Sequence, residues 1–426
     1  MTMLSRLRQI LMVGGIESLG VVLGGIAGLL IVNVLPKDQY AAYTFLVACM
    51  TLMLGITDTG LAHCCLPVVG QRAGEKTWVA AACEQVFRKR WYLLFFGFFI
   101  VVPYWVYSTR QYGWSGPAFW LASGLIVAVL LFTLREHYAN QVLMILGHIS
   151  TLNRNAILTH TTRIGLVGVA LLLPLGAYQL SGVVGATAAS ALVAMLLGRR
   201  ALKAHEVPDT RLPPEQAKAV DAHIFKIARP LMLPAVFYQF QGIITVFIVS
   251  LFGTSDMLAE VGAFGRLSMI LMVFDRVANV LLFPAIARAA EGERLRAMVT
   301  KAHLAYLGMM VLVFLSAVLL PQYWMLLLGS QYKDRESLVW MAFLATLLMN
   351  SAGFAFRTIA ARGYTVRQTF IIPFVLLIQV GYLWLFGAND LPAVLGFNVA
   401  TCLANFLYQY AMLAGWFADQ KRPKTS

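Results

Sequence analysis

The 426-residue chain reads as an all-α, polytopic membrane protein of about twelve transmembrane helices, and three observations lead there. The composition is 60% hydrophobic and only 12% charged, whereas soluble proteins are roughly half apolar and about a quarter charged. The apolar runs continue for about 20 residues instead of alternating over about 10, so the backbone is satisfied within helices and not within a barrel. Short basic clusters separate these runs and fall almost entirely on one side of them.

Spans are predicted at 10–35, 41–67, 91–109, 116–147, 155–176, 179–198, 227–252, 257–286, 303–321, 336–361, 368–387 and 391–417. The first follows Arg6 and Arg8. Its apolar stretch from Ile10 to Leu35 is too long for the h-region of a signal peptide and has no convincing cleavage site, so it is expected to stay as a span.

With the N-terminus inside, 25 of the 33 lysines and arginines lie in cytoplasmic segments, including Arg72, Lys76, Arg88, Lys89 and Arg90, and seven between Arg199 and Arg229. The outer segments hold only Lys37, Arg110, Lys333 and Arg335. The positive-inside rule then predicts that both termini are cytoplasmic. The net charge of +14 is spread over these clusters rather than gathered on one basic face, so it reads as a topology signal and nucleic acid is not an expected partner. Six tryptophans (Trp105, Trp114, Trp120, Trp324, Trp340 and Trp384) fall near the outer ends of spans, as an interfacial belt requires. The five cysteines are odd in number; all but Cys83 lie inside apolar runs, and no disulfide framework is implied.

The longest polar insert, with Pro208, Pro213 and Pro214, divides the spans into two sets of six. The expected organisation is an N-terminal six-helix lobe over 1–198, a cytoplasmic linker over 199–226, a C-terminal six-helix lobe over 227–417 and a tail over 418–426. The halves repeat weakly. A shift of 217 puts Ile10 on Ile227, Asp58 on Asp275 and Pro67 on Pro284, and slightly smaller shifts put Gly147 on Gly363 and Gly176 on Gly387. Because six spans are even, both halves start inside, and the repeat is expected to be parallel, about a pseudo-twofold axis along the membrane normal. Such symmetry favours a transporter whose path lies between two lobes.

Charge inside a span costs roughly 2.5–3.5 kcal/mol at mid-bilayer, so intramembrane charges are the candidate functional residues. They are Glu17, Asp58, Arg135, Glu136, Arg163, Arg266, Asp275 and Arg276, with His137 beside them. The four arginines are candidate substrate contacts, since a planar guanidinium binds phosphate or carboxylate through paired hydrogen bonds. Arg266 sits deepest; Arg276, Arg135 and Arg163 also read as side chains snorkelling to headgroups. Asp58, Asp275, Glu17, Glu136 and His137 are candidates for ion coupling or gating, against the alternative that each is a structural partner of a neighbouring helix. Glu17 lies in a glycine-rich span suited to close helix packing, and His137 has the side chain that titrates nearest neutral pH. Walker, HExxH, CxxC and GxSxG patterns are missing from the sequence. ATP hydrolysis, metalloprotease chemistry and serine acyl transfer therefore have no support. No metal or cofactor is expected, and energy must come from a proton or sodium gradient or from the substrate's own gradient.

Three stretches carry a resemblance: Leu-Gly-Ile-Thr-Asp-Thr-Gly-Leu-Ala from Leu54 to Ala62, Phe-Pro-Ala-Ile-Ala-Arg-Ala from Phe283 to Ala289, and Leu-Leu-Gly-Ser-Gln-Tyr from Leu327 to Tyr332. With twelve spans, the chain resembles the polysaccharide transporters of the O-antigen flippase type, within the multidrug/oligosaccharidyl-lipid/polysaccharide (MOP) exporter superfamily. The resemblance implies a V of two six-helix lobes, as in MATE transporters, around a cationic cavity. It also implies alternating-access export of an undecaprenyl-diphosphate-linked oligosaccharide, such as an O-antigen, capsule or exopolysaccharide unit, across a bacterial inner membrane. The implied partners are the lipid-linked anionic glycan, membrane lipids, and the glycan polymerase and glycosyltransferases of the same pathway.

Two other readings stay open. A multidrug exporter of the same fold would want a net acidic cavity for cationic drugs, yet four arginines stand against four acids. A membrane glycan polymerase or glycosyltransferase would need a sizeable outer loop, yet the longest outside segment, from Pro321 to Arg335, spans about fifteen residues.

Overall fold

Among the described residues, a helix lies over each predicted span in a computed structural model of the chain. The structure describes residues 20–419 apart from 21, 291, 363, 365 and 366, and apart from the side chains of 63, 71, 230, 231, 234, 270–281, 284, 285, 287 and 288. Among the described residues nine helices are long and apolar enough to cross a membrane, and a bent helix pair makes a tenth. The outer surfaces of these helices are oily: Leu172, Leu319, Leu377, Phe95 and Trp384 are all mostly exposed. An aqueous protein could not keep so large an apolar surface, whereas lipid solvates it.

The described residues divide into two compact units. One holds residues 34–259 and the other combines the first apolar helix, up to Asn33, with everything from Glu260 onwards. These units are cut at different places from the expected lobes, because α1 (Val22–Val34) packs with the later half of the chain.

In the first of these units, α2 (Lys37–Asp58) ends earlier than the predicted span 41–67. Thr59 and Gly60 take left-handed φ values of 39° and 84°, a helix-ending conformation that glycine adopts without steric cost. A 3₁₀ turn (Leu61–Cys64) and the short α3 (Cys65–Val69) follow. α4 (Lys76–Gln111) begins well before the predicted span at 91, so the basic stretch up to Arg90 is helical. α5 (Pro117–Ile145) starts with proline at its first position, where the missing N–H costs nothing. α6 (Ile149–Leu172) and α7 (Gln179–Ala204) complete a layer in which α7 lies along both α5 and α6. Small residues make that approach possible: a Cβ on Gly198 would come within 2.8 Å of Ala139, and Ala188 and Ala191 pack on Val129.

The expected linker over 199–226 is mostly helix. α7 continues to Ala204, residues 205–213 are the connection, and α8 (Pro214–Gln241) starts on a proline. Val220, Ile224 and Ala228, spaced at i, i+4 and i+8, bury one face of α8 against Cys65, Val68, Val86 and Phe87. α8 and α9 (Ile244–Phe252) are the bent pair, turning by 58° at Gly242 and Ile243.

In the other unit α10 (Ser255–Arg288) is a single long helix that continues through Asp275 and Pro284. It is thus unlike α2, which ends at the repeat-equivalent Asp58. α11 (Glu293–Leu319), α13 (Val339–Ala360) and α15 (Leu391–Asp419) enclose an aromatic core of Tyr306, Phe354 and Trp416, with His303 edge-on to Phe354. α14 (Ile371–Phe386) packs on α15. α12 (Pro321–Leu326) leads into the Leu327–Tyr332 motif, which grips α1. Asn33 donates to the Leu327 carbonyl, and Gln331 donates to the Val32 carbonyl at 2.7 Å. Gly329 sits at φ 92°, and a Cβ there would strike Asn33 at 2.6 Å. Arg362 donates to the Ala289 carbonyl at 2.9 Å, satisfying the last turn of α10.

Gly55 of α2 leaves room for Gln239 of α8, whose side chain would lie 2.8 Å from an added Cβ, while Gly124 of α5 faces open space. Gly55→Val is therefore expected to destabilise the purified protein by about 1–3 kcal/mol, seen as a lower melting temperature in detergent, with Gly124→Ala close to wild type.

Candidate functional site

The intramembrane charges are positioned by four helices of the unit spanning 34–259 (α2, α4, α5 and α6) and by α10 with α1 in the other. Each set has its own geometry.

Asp58 stands at the last position of α2, where the left-handed turn at Thr59 and Gly60 redirects the chain. Its Oδ1 accepts a hydrogen bond from the Ala62 N–H at 3.1 Å and faces the Arg90 guanidinium at 3.8 Å. Arg90 is only 3% exposed, and its guanidinium also lies 5.1 Å from the centre of the Phe87 ring. Arg90 was not among the predicted site residues, because the sequence places it in a cytoplasmic basic cluster. The helical start of α4 at Lys76 carries it inward instead. His137 of α5 lies within electrostatic reach of both Arg90 and Asp58. Thus Asp58 and Arg90 form a pair, and the Asp58 charge is already matched by a cation.

Arg135 and Glu136, neighbours of His137, turn elsewhere, as adjacent helical positions must. Arg135 is exposed and lies 5.0 Å from the centre of the Trp91 ring, a cation–π arrangement. Glu136 accepts a 3.3 Å hydrogen bond from Asn140 one turn along. Arg163 of α6 is part-buried; its Nε is enclosed and makes no hydrogen bond, and His160 lies close by. Arg90 Nε is enclosed without a hydrogen bond in the same way, so what sets Arg163 apart is that no carboxylate pairs with it among the described residues.

Arg266 lies about eleven residues into α10, roughly 16 Å along its axis. Its Nη1 approaches the Met269 sulfur at 3.4 Å, and its Cδ would lie 3.1 Å from a Cβ on Gly28 of α1. Gly28 is therefore the small residue that lets the Arg266 stem lie across α1. One acid inside predicted span 8 escaped the candidate set: Glu260, 2% exposed, accepts a 3.0 Å hydrogen bond from Arg335 Nε. Its place within the 257–286 run is the signal that identifies it. The Glu260–Arg335 pair ties α10 to the segment that precedes α13. Glu17 lies outside the described residues, and so do the side chains of Asp275 and Arg276.

Beyond the spans, Arg72 and Glu75 pair through two hydrogen bonds of 2.8 and 2.5 Å. The bond from Arg72 holds the Glu75 carboxyl below its ordinary value.

No protein-family model and no curated protein matches the chain. Solved structures do. An inward-facing multidrug resistance MATE family transporter of the MOP superfamily aligns over 94% of both chains with a TM-score of 0.70 and 17% identity. The fold is that of the MOP-superfamily transporters. The lipid II flippase MurJ, in an inward closed conformation, aligns over 97% of this chain and 88% of its own with a TM-score of 0.67 and 13% identity. A MOP superfamily transporter from Pyrococcus furiosus, for which reverse polarity of the binding pocket suggests a different function, covers 98% of this chain and 96% of its own at a TM-score of 0.59 and 14% identity. One fold thus serves both exporters of drugs and a flippase of lipid.

Removing the acid from the Asp58–Arg90 pair leaves a buried cation. Asp58→Asn is expected to cost about 3 kcal/mol of stability, the low end of the range for a broken buried pair because Asp58 is partly exposed. The double variant Asp58→Asn with Arg90→Met is expected to recover most of that loss in a detergent melt.

Proposed function

We propose that the protein is a flippase that moves an undecaprenyl-diphosphate-linked oligosaccharide from the cytoplasmic to the outer leaflet of a bacterial inner membrane by alternating access. The reading takes in two six-helix lobes, cytoplasmic termini and the enzymes of glycan assembly as pathway partners. The observation that carries it is the pairing state of the intramembrane charges. The acid that a cationic drug would need, Asp58, is matched by Arg90. Arg163, in contrast, faces no carboxylate among the described residues, which suits an anionic substrate.

Arg266 supports the same reading. Its Cδ, Nε and Nη1 all lie over Gly28, so the guanidinium is held against α1 at mid-helix and not at the end of a freely snorkelling chain. A diphosphate or an acidic sugar is an acceptor that a guanidinium binds through paired hydrogen bonds. MurJ moves a lipid on this fold, which agrees with a lipid-linked substrate. An ion-coupled multidrug exporter is the second reading, favoured by the MATE likeness. A proton or sodium gradient would then drive it, with His137, within electrostatic reach of Asp58 and Arg90, as the candidate coupling group.

Deleting the gene in its native host and extracting lipid-linked glycans separates the two. A flippase leaves the intermediate accumulated on the inner leaflet with surface glycan lost; unchanged glycan together with reduced drug efflux selects the exporter. Within the flippase reading, Arg266→Ala and Arg163→Ala are each expected to lower export roughly tenfold or more at normal protein levels. That is the loss of one charge-assisted contact of about 1.5–3 kcal/mol. Gly28→Val, which displaces the Arg266 stem, is expected to lower export in the same direction with a smaller effect; export at the parental rate in all three would remove the arginines from the path.

A further inference from the structure

At the basic end of the unit formed by residues 34–259, a groove of about 580 Å³ lies between α4 and α8. This volume falls in the range of small-ligand sites. Its walls are mainly apolar, with Tyr92 and Leu93 from α4 and Phe225 and Met232 from α8, and Lys89 and Asp221 at one end. Tyr92 and Phe225 are more than 60% exposed. The carboxylate there is already occupied: Asp221 takes 2.6 Å from Lys89 and 2.7 Å from Gln85.

Helical spacing adds cations along this face of α8. At 100° per residue, Lys218 and Arg229 project within about 40° of Phe225, on the face of α8 that lines the groove. Lys226 lies farther round. All three are exposed, and among the described residues none of the three has an ion-pair partner. Lys89 and Arg229 both sit at the sequence-predicted inner boundary, beside spans starting at 91 and 227. The groove therefore has a polar, cationic end at headgroup level and an apolar end running into the span.

We propose that this groove holds an anionic phospholipid of the cytoplasmic leaflet, its phosphate between Lys89 and an Arg229 side chain that snorkels back toward headgroup level, with Lys218 farther out adding to the attraction and an acyl chain along Tyr92, Leu93, Phe225 and Met232. A soluble anion would gain nothing from the aromatic wall, and a neutral lipid would gain nothing from the cations. Each cation near an anionic headgroup enriches it roughly fivefold. The proposal stands apart from the transported substrate and from the arginines of the spans.

The test uses the full chain with one added cysteine, Val236→Cys, which is exposed one turn beyond Met232 on the same face of α8. The five native cysteines are buried, so a thiol-reactive fluorophore goes to the added one. The labelled protein is placed in phosphatidylcholine vesicles containing a minor fraction of either phosphatidylglycerol or phosphatidylcholine brominated on the acyl chain. Stronger quenching by the brominated phosphatidylglycerol is expected, falling roughly fivefold in apparent preference with Arg229→Gln and again with Lys218→Gln. A label at Leu377→Cys, exposed on α14, is expected to show no preference. Equal quenching by the two lipids at Val236→Cys, a preference that survives both substitutions, or the same preference at Leu377→Cys would each overturn the assignment.

Discussion

Hydrocarbon offers no hydrogen bonds, so backbone groups that enter it must find partners inside the protein and a charge left unpaired there is costly, and this constraint shapes both units. The helices answer it for the backbone. The interruptions that remain are short and fall where side chains or turns can serve the freed groups: α2 stops at Asp58 with the Ala62 N–H held by the Asp58 carboxylate, and the carbonyls ending α10 are held by Arg362. Charges answer it by pairing. Glu260, nearly fully buried, is met by Arg335, and Arg90, equally buried, by Asp58. In a medium where an isolated charge is expensive, such pairs fix which helices lie together more tightly than dispersion alone.

The same accounting separates structural from available charge. Asp58 has the marks of a functional acid in the sequence, being a carboxylate in an apolar run with a counterpart in the other half of the chain. Its surroundings make it a turn cap and the partner of a buried arginine. Arg163 has weaker marks in the sequence and a more open pairing state. Glycines do related work by subtraction: Gly28 admits the stem of Arg266, Gly55 admits Gln239, and Gly329 admits Asn33. In each case the absent side chain is what permits the approach of two helices or of a helix and a turn.

Much of this was legible from pattern. Apolar run length located the helices, because a span must cover the hydrocarbon whatever its neighbours are. The Leu327–Tyr332 motif was legible as unusual, though not as the grip on α1, since Asn33 lies nearly 300 residues away in the chain. Helix ends were less legible. Hydropathy marks where a segment enters lipid, not where its hydrogen bonding starts, so α4 and α8 begin well before their predicted spans and the expected linker is largely helical.

The sequence by itself determined that the chain is helical and multi-spanning and where its charges interrupt the apolar runs, because these depend on local composition and on the thickness of a bilayer. Only the tertiary structure decided which of those charges are neutralised, which small residues are needed for close approach, and which segments pack into one unit. Those are properties of partners distant in the chain, and a linear pattern carries no record of the partner until folding brings the two within a few ångströms.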